Sequence, residues 1–149
     1  MGFINKLFGN TKTENNTTED LNYINSILEF SKDAPLGTSK QNLIYVGYSE
    51  LGGYYYVQTY IIGKLKVKTK TGATLKIVGD NYTLNLKSDM DEFESEPADR
   101  FKGYVTNVDF EIEKDAVEKI SRSTIKELVF TTKKENIVFS KFEANTNKS

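Results

Sequence analysis

The sequence predicts a mainly β fold: an antiparallel meander of about eight strands, forming a barrel or two-sheet sandwich, with one N-terminal amphipathic helix and one short helix near 114–121. Three observations predict it. From Asn42 onward the apolar residues recur with a period of two, the spacing that sends alternate side chains to opposite faces of a sheet. Gly, Asn and Asp interrupt that pattern at short intervals, as hairpin turns require. No long helical stretch alternates with the strands, which argues against a doubly wound sheet.

Residues 1–17 read as a flexible N-terminal segment, because "GNTKTENNTTED" is polar, rich in Asn and Thr, and aperiodic. Residues 18–143 form the single β-rich domain, and residues 144–149 a disordered C-terminus. A helix is expected over 18–30, where Leu21, Ile24, Ile27 and Leu28 make one apolar stripe and Thr17 with Asp20 resembles a capping box. A helix with a single stripe covers a sheet. Strands are expected at 42–48, 54–62, 64–70, 73–78, 82–87, 104–112, 124–131 and 137–142. Their connections contain Gly52-Gly53, Thr71-Gly72, Gly79-Asp80-Asn81 and Lys133 to Asn136, all suited to antiparallel hairpins. The short helix over 114–121 rests on Val117 and Ile120 sharing a face and on a cap-like pair, Asp115 and Glu118.

Composition narrows the chemistry. With no cysteine the fold has no disulfide and no thiolate nucleophile, and with no histidine it lacks the usual neutral-pH base and the commonest metal ligand. Eighteen of the twenty basic residues are lysine, so the bidentate forks that read phosphates and guanine edges are nearly missing. That counts against specific nucleic-acid recognition. No segment is apolar enough to span a membrane, and "MGFINKLFG" lacks the h-region of an export signal. The expected location is the cytoplasm. Phe3, Ile4, Leu7 and Phe8 would line one side of two helical turns, a weak interfacial anchor.

Charge is segregated along the chain. Residues 60–88 hold six lysines against Asp80, a net +5, and residues 89–118 hold eleven acids against three bases, a net −8. In "GKLKVKTK" the alternation turns Leu65, Val67 and Thr69 inward and Lys64, Lys66, Lys68 and Lys70 outward, spaced about 7 Å apart along a strand. Along 104–112 it places Tyr104, Thr106, Val108, Phe110 and Ile112 in the core and Asn107, Asp109 and Glu111 in solvent. If these two strands are neighbours, cross-strand ion pairs of about 0.2–1 kcal/mol each account for most of the pattern. Otherwise the lysines form a basic face for an anionic surface or an acidic partner, or protect an exposed sheet edge from aggregation.

The acidic run "SDMDEFESEPADR" fails as an EF-hand begun at Asp89, because Phe93, Glu94 and Arg100 occupy ligand and turn positions. Six acids on one loop are also the wrong arrangement for the opposed pair of a glycosidase. It reads as a solvated connection, pinned to the barrel rim by Met90 and Phe93 and ended by Pro97. No metal site and no cofactor are expected.

"GGYYYVQTYIIG" puts Tyr54, Tyr56, Gln58, Tyr60 and Ile62 on one face and Tyr55, Val57, Thr59 and Ile61 on the other. A tyrosine-rich strand of this kind is expected to be central and buried on both faces; exposed, its tyrosine row would stack on a partner's apolar surface, a sugar or a base. The functional expectation is a non-catalytic intracellular interaction module, with another protein as the expected partner and Tyr54, Tyr56, Tyr60, Lys64, Lys66, Lys68 and Lys70 as candidate binding residues. Two alternatives are a peripheral membrane adaptor, using the N-terminal peptide with the lysine face, and a small-ligand barrel or enzyme that uses carboxylates or tyrosines.

Overall fold

Gly52 and Gly53, at φ of 61° and 87°, supply the left-handed pair that a two-residue hairpin demands, and the longest strands of the protein flank them. The computed structural model describes residues 17–120 and 124–143. In chain order these form α1 (Thr18–Leu28), β1 (Gly37–Thr38), β2 (Asn42–Leu51), β3 (Tyr54–Gly63), β4 (Lys68–Thr69), β5 (Thr74–Gly79), β6 (Thr83–Lys87), β7 (Phe93–Glu94), β8 (Glu96–Pro97), β9 (Tyr104–Ile112), α2 (Lys114–Val117), β10 (Ile125–Thr131) and β11 (Asn136–Lys141). Residues 1–16 and 144–149, including Phe3, Ile4, Leu7 and Phe8, lie outside the described residues, as do 121–123 at the end of the expected second helix.

Nine antiparallel strands curl into a half-barrel in the order β6-β5-β10-β11-β1-β2-β3-β9-β8. The hairpins β2–β3, β5–β6 and β10–β11 follow the predicted turns. Between them the chain crosses over, so β3 pairs with β9 and β5 with β10. The two ends of the curl meet at a single bridge, Ser88 with Phe110, beside which Asp89 N donates to Asp109 O at 2.8 Å. The concave side is filled: Phe110, Phe130, Phe139, Leu75, Leu128 and Val57 are sealed from solvent. Each such side chain contributes about 1.5–3 kcal/mol of burial.

The helix α1 forms where expected and stops two residues short of the expected end. Its cap is reciprocal, with Asp20 N donating to Thr17 Oγ1 at 3.0 Å and Thr17 N to Asp20 Oδ2 at 3.5 Å. Ile24 and Ile27 pack on Leu43, with Tyr23, Tyr45, Ile62 and Phe101 around them. This is the convex side of β2 and β3, so the helix roofs the outside of the sheet. Tyr23 locks that placement by donating its hydroxyl to Lys102 O at 2.6 Å. The second helix is shorter than expected and has Glu113, just before its first residue, at the N-cap with no side-chain capping bond, so Asp115 does not serve as the cap.

The lysine segment departs most from expectation. Its burial alternates as predicted, with Leu65, Val67 and Thr69 buried and Lys64, Lys66, Lys68 and Lys70 exposed. Only Lys68–Thr69 is a strand, however, and it lies opposite β7, in the acidic run, rather than β9. The reason is that side chains replace the ladder upstream: Leu65 N donates to Asn42 Oδ1 at 2.9 Å, and Val67 N to Ser95 Oγ at 2.7 Å. With its amides satisfied by Asn42 and Ser95, the segment buries its apolar positions without a neighbouring strand.

Candidate functional site

Because β3 lies between β2 and β9, its convex side chains sit in rows that can be read from the register. Tyr56 is flanked by Ser49 and Glu111, Gln58 by Gly47 and Asp109, and Tyr60 by Tyr45 and Asn107. The helix α1 covers one end of these rows, at Leu43 and Ile62, and leaves the other open. Tyr54 is 67 % exposed, Tyr60 44 % and Leu51 74 %, while Tyr56 is half-buried. The expectation that the tyrosine strand is buried on both faces is therefore corrected. Only its Val57, Thr59 and Ile61 side is sealed.

Carboxylates border the tyrosines. Asp109 and Glu111 come from β9, and Asp89 is brought beside them by the backbone bond that closes the curl. Burial first, then the Asp89 carboxylate, pushes the Asp109 carboxyl up. Desolvation, reinforced by Asp89, Glu111, Tyr54 and Asp109, pushes the Tyr56 phenol up. The face thus sets the Tyr56 phenol, held in its protonated form, beside carboxylates, which is equipment for holding a cation and its apolar surroundings.

The remaining candidates sit elsewhere. Lys64 Nζ lies 4.4 Å from the centre of the Tyr23 ring and Lys66 Nζ 5.4 Å from that of Tyr104. Lys68 stands opposite Glu94 in the β4–β7 pair, and Lys70 is exposed beside it. Among the described residues no ion pair joins these four lysines to an acid. Lys64 and Lys66 thus lie against Tyr23 and Tyr104, and Lys68 against the acidic run.

The acidic run is less of a loop than expected. Met90 is 62 % exposed and pins nothing, whereas Phe93 packs on the core and Ser95 is buried. Ser95 Oγ accepts from Val67 N and shares a hydrogen with Thr106 Oγ1 at 2.6 Å. The run is stitched inward at alternate positions, and its acids point outward between the stitches. Among the described residues no three carboxylates converge in a way that could hold a metal ion.

Sequence reasoning did not single out Tyr45 and Gly47, which adjoin the tyrosine rows under the end of α1. Two adjoining cavities, of about 490 and 310 Å³, open there and share Asp33, Tyr45 and Tyr60. The available signal was Gly47, a glycine in the middle of a strand pattern. Among the described residues no helix is long and apolar enough to cross a membrane. Comparison of the chain with protein-family models, with curated proteins and with solved structures finds no match.

Proposed function

We propose that the protein is a non-catalytic interaction module that receives a basic, partly apolar segment of another protein on the convex face of β3. One observation carries the reading: α1 roofs only one end of the face, so Tyr54, Tyr56 and Tyr60 are left open beside Asp109 and Glu111. Tyrosines give large, stiff contact area with a polar tip, the surface that interface hot spots favour. The neighbouring carboxylates select lysine or arginine in the partner and contribute mainly to encounter rate and specificity. Within the chain itself, Lys64 and Lys66 already rest on tyrosine rings, which supports the same pairing between molecules.

The test is fluorescence anisotropy with a labelled peptide that alternates arginine and leucine, compared with its glutamate counterpart. The basic peptide binds, weakens steeply with added salt, and loses about tenfold or more in affinity with Tyr54→Ala plus Tyr56→Ala. Equal binding of both peptides, or none by the basic one, rejects the reading. Contact with an anionic membrane surface through Lys64, Lys66, Lys68 and Lys70 is the competing outcome, and co-sedimentation with phosphatidylserine vesicles detects it.

A further inference from the structure

We propose that the open edge of β6 is a strand-addition site for an extended segment of another protein that alternates apolar and basic side chains; resting on the reading that the tyrosine face takes a basic segment, it assigns how that segment is held. β6 is the last strand at its end of the nine-stranded sheet and, among the described residues, pairs with β5 alone. The ladder shows which of its main-chain groups are turned outward. Gly79 N donates to Tyr82 O and Ser88 N to Ala73 O, each at 2.9 Å, so Leu84 and Leu86 turn their amides to β5, and Thr83 and Asn85 turn theirs away. An edge of this kind is a template for an extended chain.

Beyond the edge lies a space with suitable walls. β9 closes on the chain leaving β6 at the Ser88–Phe110 bridge. Continued past the bridge, the same register would set Leu86 against Ile112 and Asn85 against Glu113; instead a cleft of about 800 Å³ parts them. Leu84, Tyr55 and Ala116 border it and lie half-buried against the core, so the inward side chains of an added strand complete their cover. Because β6 and β9 wall the cleft on both sides, it admits a single extended segment more readily than the edge of a second folded copy.

Charge selects the outward side chains. A residue opposite Asn85 stands between it and Glu113, with Tyr54 also on the rim. Glu111 and Glu113 border the cleft together with Lys87 and Lys114, and Asp89 and Asp109 tip that balance. The neighbours that push the Tyr56 phenol up are Asp89, Glu111, Tyr54 and Asp109, so the field on this side of the rim is negative. An arginine or lysine is therefore the complementary residue.

The test is amide hydrogen exchange by ¹H–¹⁵N NMR on the full chain, with the arginine–leucine peptide and two N-methylated forms of it. Thr83 and Asn85 amides exchange fast in the free protein and slow about tenfold or more with saturating peptide. In the antiparallel sense of the other pairs in this sheet, the residue opposite Asn85 points outward, so the arginine amides face β6. Methylating the arginine amides should weaken binding about tenfold or more, and methylating the leucine amides less than about threefold. Asn85→Pro removes a donor that β5 does not use; it weakens the peptide about tenfold and leaves Tm little changed. Equal affinity of the two methylated forms, or unchanged exchange at Thr83 and Asn85 while Tyr54 and Tyr56 respond to the peptide, overturns strand addition and leaves the convex-face reading standing, whereas no binding at all rejects both. Slow exchange at these amides without peptide also overturns it, assigning the edge to a second copy if it depends on protein concentration and to a segment of this chain if it does not.

Discussion

Replacing Ser95 by alanine removes a single oxygen from the junction between the lysine segment and β9. That oxygen accepts from Val67 N at 2.7 Å and shares a hydrogen with Thr106 Oγ1 at 2.6 Å, and both Val67 and Thr106 are sealed from solvent. A buried backbone donor deprived of its acceptor costs about 1–3 kcal/mol, and losing the hydroxyl partner of Thr106 adds about another 1. Because Ser95 N still donates to Val67 O at 2.8 Å, the segment stays in place and the loss is confined to those two groups. The expected destabilisation is roughly 2–4 kcal/mol, or roughly 5–15 °C in Tm for a chain of this size. Urea denaturation followed by fluorescence measures it, with the exposed neighbour Glu94→Ala as a control expected within about 0.5 kcal/mol of the parent. A Ser95→Ala loss no larger than the control's would refute the claim that side-chain acceptors hold residues 64–67.

Three further outcomes follow from the geometry. Gly63 has φ of 156°, and a Cβ there would collide with the backbone of Gln41 and Asn42, so Gly63→Ala should lower stability by more than about 2 kcal/mol in the same denaturation assay. The hydrogen bond from Gln41 Nε2 at 3.0 Å, more than the Thr17 cap, holds the Asp20 carboxyl below its ordinary value despite desolvation. A depressed folded-state pKa stabilises above the unfolded value and is lost as pH falls through the folded one; Gln41→Ala should therefore flatten the decline in stability measured below about pH 4. Asp109 has the opposite sign: its raised carboxyl favours the fold when protonated, and that contribution disappears as pH rises through the folded value. Asp109→Asn should thus raise Tm at neutral pH but not in acid, while weakening the basic peptide in anisotropy.

The parts of this fold that were legible in the sequence are those decided locally. Thr17 and Asp20 announce the start of α1, Gly52-Gly53 the longest hairpin, and the period-two pattern around Phe110 the buried side of β9. What was not legible is decided by residues distant in sequence. Nothing near Lys64 indicates that Asn42 and Ser95 will satisfy the amides of Leu65 and Val67, so the alternating pattern alone predicts a regular strand. Similarly, tyrosine content cannot tell a strand roofed along its whole length from one roofed at one end, because that depends on where α1 stops. The tyrosine row is legible from its spacing, whereas the grouping of Tyr45 and Gly47 with Asp33 and Tyr60 around one groove depends on tertiary placement.

The proposal that the exposed face of β3 accepts a cationic segment is tested most directly by aromatic ¹H–¹³C NMR of the tyrosines during titration with the arginine–leucine peptide. The rings of Tyr54, Tyr56 and Tyr60 should move together and saturably, while Tyr23 and Tyr104, occupied by Lys64 and Lys66, stay fixed. Movement confined to Tyr23 and Tyr104, or a spectrum unchanged by the peptide, would contradict it.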